Sequence, residues 1–251
     1  RPPTSTLFPY TTLFRSALRV LNRQLEDASQ TDPLTGLKNR RYLGQQLPAD
    51  LAHFRRERER AENSEQVIAF AIADLDHFKD INDRAGHFAG DYLLKQVAER
   101  LVASVRAGHY VVRWGGEEFL IVFRPMPRDE TPGVIDRVQK SVSDTPYRLP
   151  GGEQLQVTCS IGYTEYPFLA SAPDRVDWEL LVNLADHALY AAKAAGRNRW
   201  YGLRAGPKFD ARSIRDDLAK SLAACIRAKK LVLLEEAAAK QPAPKKARKS
   251  R

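Results

Sequence analysis

Arg113-Trp114-Gly115-Gly116-Glu117-Glu118-Phe119 lies between two apolar runs, Tyr110-Val111-Val112 before it and Leu120-Ile121-Val122-Phe123 after it. Short aromatic and β-branched runs on either side of a glycine pair spell a β-hairpin with Gly115 and Gly116 at its turn. Two residues without Cβ permit positive φ and let a phosphate or a base come close to the backbone. Glu117 and Glu118 are expected to open the second strand. Strand neighbours point to opposite faces, so without a bulge the two carboxylates cannot serve one face together. A solvated hairpin tip has the same sequence, and the surroundings must decide between the two readings.

Those surroundings begin upstream. Val67-Ile68-Ala69-Phe70-Ala71-Ile72-Ala73 is continuously apolar and ends in Asp74-Leu75-Asp76, the pattern of a buried strand delivering acids at its C-terminal end. Hard dications such as magnesium take oxygen ligands and share them with phosphates, so Asp74 facing Glu117 would form a metal cradle. The alternative is that Asp74 or Asp76 caps the segment that follows. Further elements read as helices over about 17–28, from Asn39 to near Glu62, from His87 to Val105, from Pro132 to Ser143 and from Trp178 to Ala195, with a turn near Phe78 and a strand near Val157. Strands and helices mix without strict βαβ alternation, which predicts an α+β fold with a central mixed or antiparallel sheet flanked by helices.

Several motifs follow one another in order: Asp32-Pro33-Leu34-Thr35-Gly36-Leu37 with Asn39-Arg40-Arg41; Asp74-Leu75-Asp76-His77-Phe78-Lys79-Asp80-Ile81-Asn82-Asp83; Gly86-His87 with Gly90-Asp91; the glycine-pair hairpin; Thr158-Cys159-Ser160-Ile161-Gly162; and Ala185-Asp186, Ala188-Leu189-Tyr190, Ala192-Lys193, Gly196-Arg197-Asn198. Together, over about Thr31 to Tyr201, they resemble the GGDEF family of diguanylate cyclases. The resemblance implies a palm-like nucleotide-cyclase fold that condenses two GTP into cyclic di-GMP with release of two pyrophosphates. Each domain would hold one GTP, so a homodimer is needed. The cofactor implied is magnesium, or manganese, held by Asp74, the Leu75 carbonyl and Glu117; Glu117, or its neighbour Glu118, would assist deprotonation of the attacking hydroxyl. Phosphates would meet Lys79, Lys193, Arg197 and the turn at Gly115 and Gly116. Asn82, His87 and Asp91 would read the guanine, whose N1 and 2-amino donors suit a carboxylate and are absent from adenine.

Plainer readings stand beside these. Lys193 and Arg197, four apart and expected on one helical face, could be a solvated basic helix end, and His87 could cap or pack. Arg106 and His109 stand where many relatives carry an Arg-x-x-Asp pair that binds cyclic di-GMP as an inhibitor. Here Arg106-Ala107-Gly108-His109 lacks the carboxylate, so the site is expected to be degenerate, or the two are ordinary surface residues.

The net charge is +9, yet up to Leu203 there are 26 Lys and Arg against 26 Asp and Glu, leaving 14 and 5 beyond it. The excess lies in the tail, so the domain itself gives no reason to expect a specific nucleic-acid partner. The expected division is 1–16 non-native, because Thr6 to Ser16 resembles a translated sequencing adapter; 17–31 a signalling-helix linker with Leu18, Leu21 and Leu25; 32–203 the catalytic domain; and 204–251 a basic tail, helical over Ile214 to Lys240 and then disordered. The tail could bind polyanions or merely solubilise. A sensor is expected to precede the linker. No apolar run reaches membrane-span length, so the catalytic domain is expected in the cytoplasm with its GTP, although a full-length protein could be membrane-attached. Cys159 and Cys225 lack metal-ligand spacing and read as reduced thiols.

Overall fold

The computed structural model describes residues 30–61 and 65–235. Its central strand, β2 (Gln66–Leu75), is buried at every position after the first, because helices cover the sheet on both faces. Alternation sorts its side chains: Ala69, Ala71, Ala73 and Leu75 enter one core, Ile68, Phe70 and Ile72 the other. The remaining long elements are β1 (Lys38–Asn39), α1 (Arg40–Arg60), α2 (Phe78–Ala85), α3 (His87–Ser104), β3 (Tyr110–Arg113), β4 (Glu118–Val122) and β5 (Met126–Pro127). They are followed by α4 (Thr131–Ser143), β6 (Tyr147–Arg148), β7 (Gln154–Leu155), β8 (Cys159–Tyr166), α5 (Trp178–Ala194) and β9 (Trp200–Ala205). Last come α6 (Ile214–Lys220), α7 (Leu222–Arg227) and β10 (Leu231–Glu235).

The sheet runs β1-β3-β4-β2-β8-β9-β10, parallel at β1/β3 and β8/β9 and antiparallel elsewhere, so the α+β expectation resolves to a mixed sheet. One face is packed by α3 and α4 through Leu93, Val97, Leu101, Ile135 and Val138. The other is packed by α1 and α5 through Leu43, Leu47, Leu181, Leu184 and Leu189. A Cβ added at Gly162 of β8 would stand 2.0 Å from the Ala185 carbonyl and 2.1 Å from the Leu189 amide. The backbone of α5 therefore lies directly on β8, and this sets the height at which Lys193, one turn after Leu189, meets the sheet.

Two expectations need correction. The region near Phe78 is a helix of two turns rather than a turn. The stretch after Leu203, expected to be a tail, continues the fold: β10 adds an edge strand to β9, and Ile214, Leu218, Cys225 and Leu231 join the core beneath α5. Leu231–Glu235 was expected to be helical but is a strand, because the outer edge of β9 offers unpaired backbone groups that an apolar segment completes. The N-terminal segment 1–16, the helix over 17–28 and the last part of the tail lie outside the described residues. Both cysteines are free and buried. Among the described residues no helix is long and apolar enough to cross a membrane.

Candidate active site

Register brings the acids together. Asp74, next to last in β2, pairs with Glu118 of β4 on one side and Ser160 of β8 on the other. The Leu75 amide donates to the Glu117 carbonyl at 3.4 Å. Glu117 itself sits in the turn, because β4 begins only at Glu118, so strand alternation does not separate the two acids as expected. Nor do the two turn glycines adopt positive φ. Gly115 has a different neighbour to accommodate: the Glu118 carboxylate folds over it, and a Cβ there would lie 2.5 Å from Glu118 Oε2, so a larger residue would displace that carboxylate.

The charges at this end are unbalanced. Lys193 Nζ lies 2.7 Å from Asp74 Oδ1, whose side chain is only 5% exposed. Burial nonetheless pushes the Asp74 carboxyl above its ordinary range against the pull of Lys193, with Asp76 and Asp186 adding to the rise. Glu117 is raised by burial, then by Asp74 and Glu118; Glu118 is raised by burial, then by Asp74 and Asp186. A cluster of carboxylates that hold their protons more tightly than usual is short of positive charge, which is the condition a bound dication relieves. Among the described residues no three acidic, histidine or cysteine side chains converge into a full ligand set. A dication that draws the rest of its shell from phosphates needs only one or two carboxylates and a carbonyl, so the residues fit that mode.

Asp76 takes the structural part. It is buried and accepts from Thr158 Oγ1 and Ser160 Oγ, both at 2.7 Å, and from the Asn198 amide at 3.0 Å. Asn198 belongs to the turn after α5. There the Gly196 amide donates to the Lys193 carbonyl and the Arg197 amide to that of Ala192, closing the helix. Arg197 thus lies beyond the helix at φ +62°, not on one helical face with Lys193 as expected; Asp76 anchors its turn and its side chain is exposed.

Arg113 was missed in the sequence. Its guanidinium donates to the carbonyls of Gly115 and Gly116 and to Asp32 Oδ1 at 3.2 Å, tying the hairpin turn to the segment before β1. Asp32 also accepts from the Thr35 amide and hydroxyl. Burial pushes the Asp32 carboxyl up, but the bonds from Thr35 and the charge of Arg113 outweigh it and hold the group below its ordinary range.

A second group gathers at the join of α2 and α3. Asn82 packs against Gly90, where a Cβ would fall 1.9 Å from Asn82 Oδ1, and that oxygen is buried without a hydrogen-bond partner. His87 opens α3 and is exposed, Asp91 lies one turn on and is exposed, and Lys79 is exposed on the first turn of α2. An orphaned acceptor beside an exposed carboxylate suits a ligand edge with two donors. Arg106 and His109 meet elsewhere, in a cavity of about 360 Å³ shared with Arg124 and Arg137 and with Asp129 and Glu130. It lies at the far end of the hairpin from the glycine turn: His109 directly precedes β3 and Gly115 lies beyond the strand's other end. His109 Nδ1 accepts from the Arg124 amide at 2.8 Å, and burial, followed by Arg106, Arg124 and Arg137, depresses its pKa.

The family described as "Diguanylate cyclase, GGDEF domain" matches residues 29–199. The chain belongs to the GGDEF family. It is 36% identical over 184 residues to the diguanylate cyclase DgcP of Pseudomonas aeruginosa, covering 72% of this chain and 25% of that protein. It is 37% identical over 168 residues to the diguanylate cyclase DosC of Escherichia coli, covering 67% and 34%. The chain thus spans a quarter to a third of the length of these relatives. A truncated form of TpbB (YfiN) from Pseudomonas aeruginosa, comprising only its GGDEF domain, superposes with a TM-score of 0.59 at 33% identity, covering 67% of this chain and 91% of that one. The α+β, palm-like fold is therefore that of GGDEF domains, and the chain is related to nucleotide cyclases of cyclic di-GMP signalling.

Proposed function

We propose that this GGDEF domain is a catalytically competent diguanylate cyclase that condenses two GTP into cyclic di-GMP and two pyrophosphates. The observation that carries the reading is the register that sets Asp74 opposite Glu118 and ties Leu75 to the Glu117 carbonyl, with Lys193 paired to Asp74 at the C-terminal end of β2. Asp74, the Leu75 carbonyl and Glu117 would hold magnesium, which when bound neutralises charge on the phosphates. Lys193 now balances Asp74; its flexible stem lets it exchange that carboxylate for a phosphate once nucleotide arrives. Lys79 and Arg197, both exposed, then add positive charge around the triphosphate. Glu117, or Glu118 beside it, has a carboxylate of raised proton affinity and would take the proton of the attacking 3′-hydroxyl.

Asn82 Oδ1 and Asp91 would accept from guanine N1–H and the 2-amino group, with His87 beside them. Adenine has neither donor on that edge and would leave both acceptors unpaired, which supports GTP as substrate. One domain supplies one such site, so the reaction needs two copies facing one another, each offering its hydroxyl to the other's α-phosphate. The reading implies a cytoplasmic location for the domain and an upstream sensor that governs pairing. Incubation with GTP and magnesium, with Asp74→Ala as the control, tests it: cyclic di-GMP from the wild type alone supports the assignment.

A further inference from the structure

The two edges of the sheet differ. β1, at one edge, is only two residues long, which protects it from pairing with another chain. β10, at the other, reads Leu231-Val232-Leu233-Leu234-Glu235, with no proline and no charge before its last residue, and no described strand pairs beyond it. It also lies past residue 199, where the GGDEF match ends. The Gly206 amide donates to the Lys230 carbonyl at 2.9 Å, one step before Leu231 and Ala205 stand opposite one another. Bonded and non-bonded pairs alternate along an antiparallel ladder. Val232 and Leu234 therefore direct their main-chain groups to β9, whereas Leu231, Leu233 and Glu235 turn N–H and C=O outward. Leu231 and Leu233 pack their side chains on the core beneath α5; Val232, on the opposite face, is 42% exposed.

We propose that β10 pairs antiparallel with β10 of a second copy of this chain, about a two-fold axis at Val232. Outward-facing residues must meet outward-facing residues, which leaves few registers, and charge and hydropathy select among them. With Leu231 opposite Leu233, each strand's apolar residues face apolar ones, Val232 meets Val232 of the second copy, and the exposed Glu235 comes to the exposed Lys229 at the entrance to the other strand. A shift of two residues one way sets Glu235 against Leu231; a shift the other way leaves only Leu231 within both strands. The chosen register forms about four main-chain hydrogen bonds between the copies. Such an interface is isologous and small, so the association is weak and depends on concentration. β10 runs in the same direction as β2, and the two-fold axis reverses the second copy, so the two Asp74 sites lie at opposite ends of the joined sheet. The contact is therefore separate from the face-to-face pairing of sites and leaves both sites open to it. It does not depend on the nucleotide reading.

Disulfide trapping in the full-length chain tests it. At a non-bonded pair on the axis the two Cα atoms stand about 4.5 Å apart, within the range a disulfide spans, so Val232→Cys should cross-link two copies under oxidised glutathione. Cys159 and Cys225 are buried and do not compete. Val102→Cys, at a position 50% exposed on α3, is the control for random collision. The expected result, read on non-reducing gels over time, is cross-linking of Val232→Cys about tenfold or more faster than of Val102→Cys. Adding Glu235→Lys, which brings like charges together at Lys229, should slow it about threefold or more at low salt. Equal rates for the two cysteine variants overturn the proposal, as they would if another part of the chain covered the edge. A rate unmoved by Glu235→Lys overturns it as well, since the register would then not be the one charge selects.

Discussion

Gly90→Ala tests the base-reading role proposed for Asn82. A Cβ at residue 90 would stand 1.9 Å from Asn82 Oδ1, 3.0 Å from its Cγ and 3.2 Å from Phe78 Cζ, where ordinary contact begins at 3.4 Å. The Asn82 amide must therefore retreat by about 1.5 Å, the response of a tightly packed site to an added methyl. Gly90 is helical, so alanine gains about 1 kcal/mol of helix propensity, which offsets much of the roughly 1–3 kcal/mol that overpacking costs. Melting temperature should change little. Withdrawing the acceptor from guanine should cost about 1–3 kcal/mol, about fivefold to a hundredfold in kcat/KM for GTP. ATP, which offers no donor there, should lose less, so discrimination should narrow. Initial rates of pyrophosphate release with each nucleotide, beside a thermal melt, read both effects. A folded variant with GTP kcat/KM within about twofold of wild type and unchanged discrimination would refute the placement of Asn82 at the base.

Asp74→Ala and Glu117→Ala should each abolish turnover with the fold retained, because each removes a proposed metal ligand at the sheet end rather than an apolar core side chain; near-normal product formation in either would sink the metal assignment. Asp32 has a folded pKa below its unfolded value, so the stability it contributes is present at neutral pH and is lost as pH falls through the folded value. The stability gap between wild type and Asp32→Asn in urea melts should accordingly be larger at neutral pH than below about pH 3, and a gap independent of pH contradicts the Arg113–Asp32 tie. Feedback by product should be weak, about tenfold to a hundredfold below that of a site with a carboxylate: His109 has its Nδ1 committed to the Arg124 amide and carries its remaining proton on Nε2, so it cannot accept from guanine. Submicromolar inhibition relieved by Arg106→Ala would show instead that Asp129 or Glu130, on the same cavity, supplies the acceptor.

What could be read from the sequence followed from local pattern. The apolar run into Asp74, the hairpin around Gly115 and the periodicity of α3 and α5 fixed those elements to within a residue or two, since burial of one strand or one helical stripe leaves its period in the sequence. What could not be read depended on distant partners. Asp74 and Asp76 are indistinguishable in Asp-Leu-Asp, and only the positions of Thr158, Ser160 and Asn198 make Asp76 the structural one. Arg113 reads as a strand-end cation until Asp32, 81 residues earlier, is folded beside it. Asp186, two turns before Lys193 on α5, adds negative charge at Asp74 and Glu118, and its only sequence signal was its place in the last-helix motif. Leu231 to Glu235 carries good helix formers, yet the open edge of β9 overrides propensity.

The central claim is that two of these sites, brought face to face, join two GTP molecules. The most direct measurement is chromatographic analysis of the protein incubated with GTP and magnesium over a range of protein concentrations. The account predicts cyclic di-GMP with two pyrophosphates released per product, and a specific activity that rises with protein concentration as dimers form. A folded, dimeric protein that binds GTP and yields no cyclic di-GMP, or a confirmed monomer whose specific activity is independent of concentration, would contradict it.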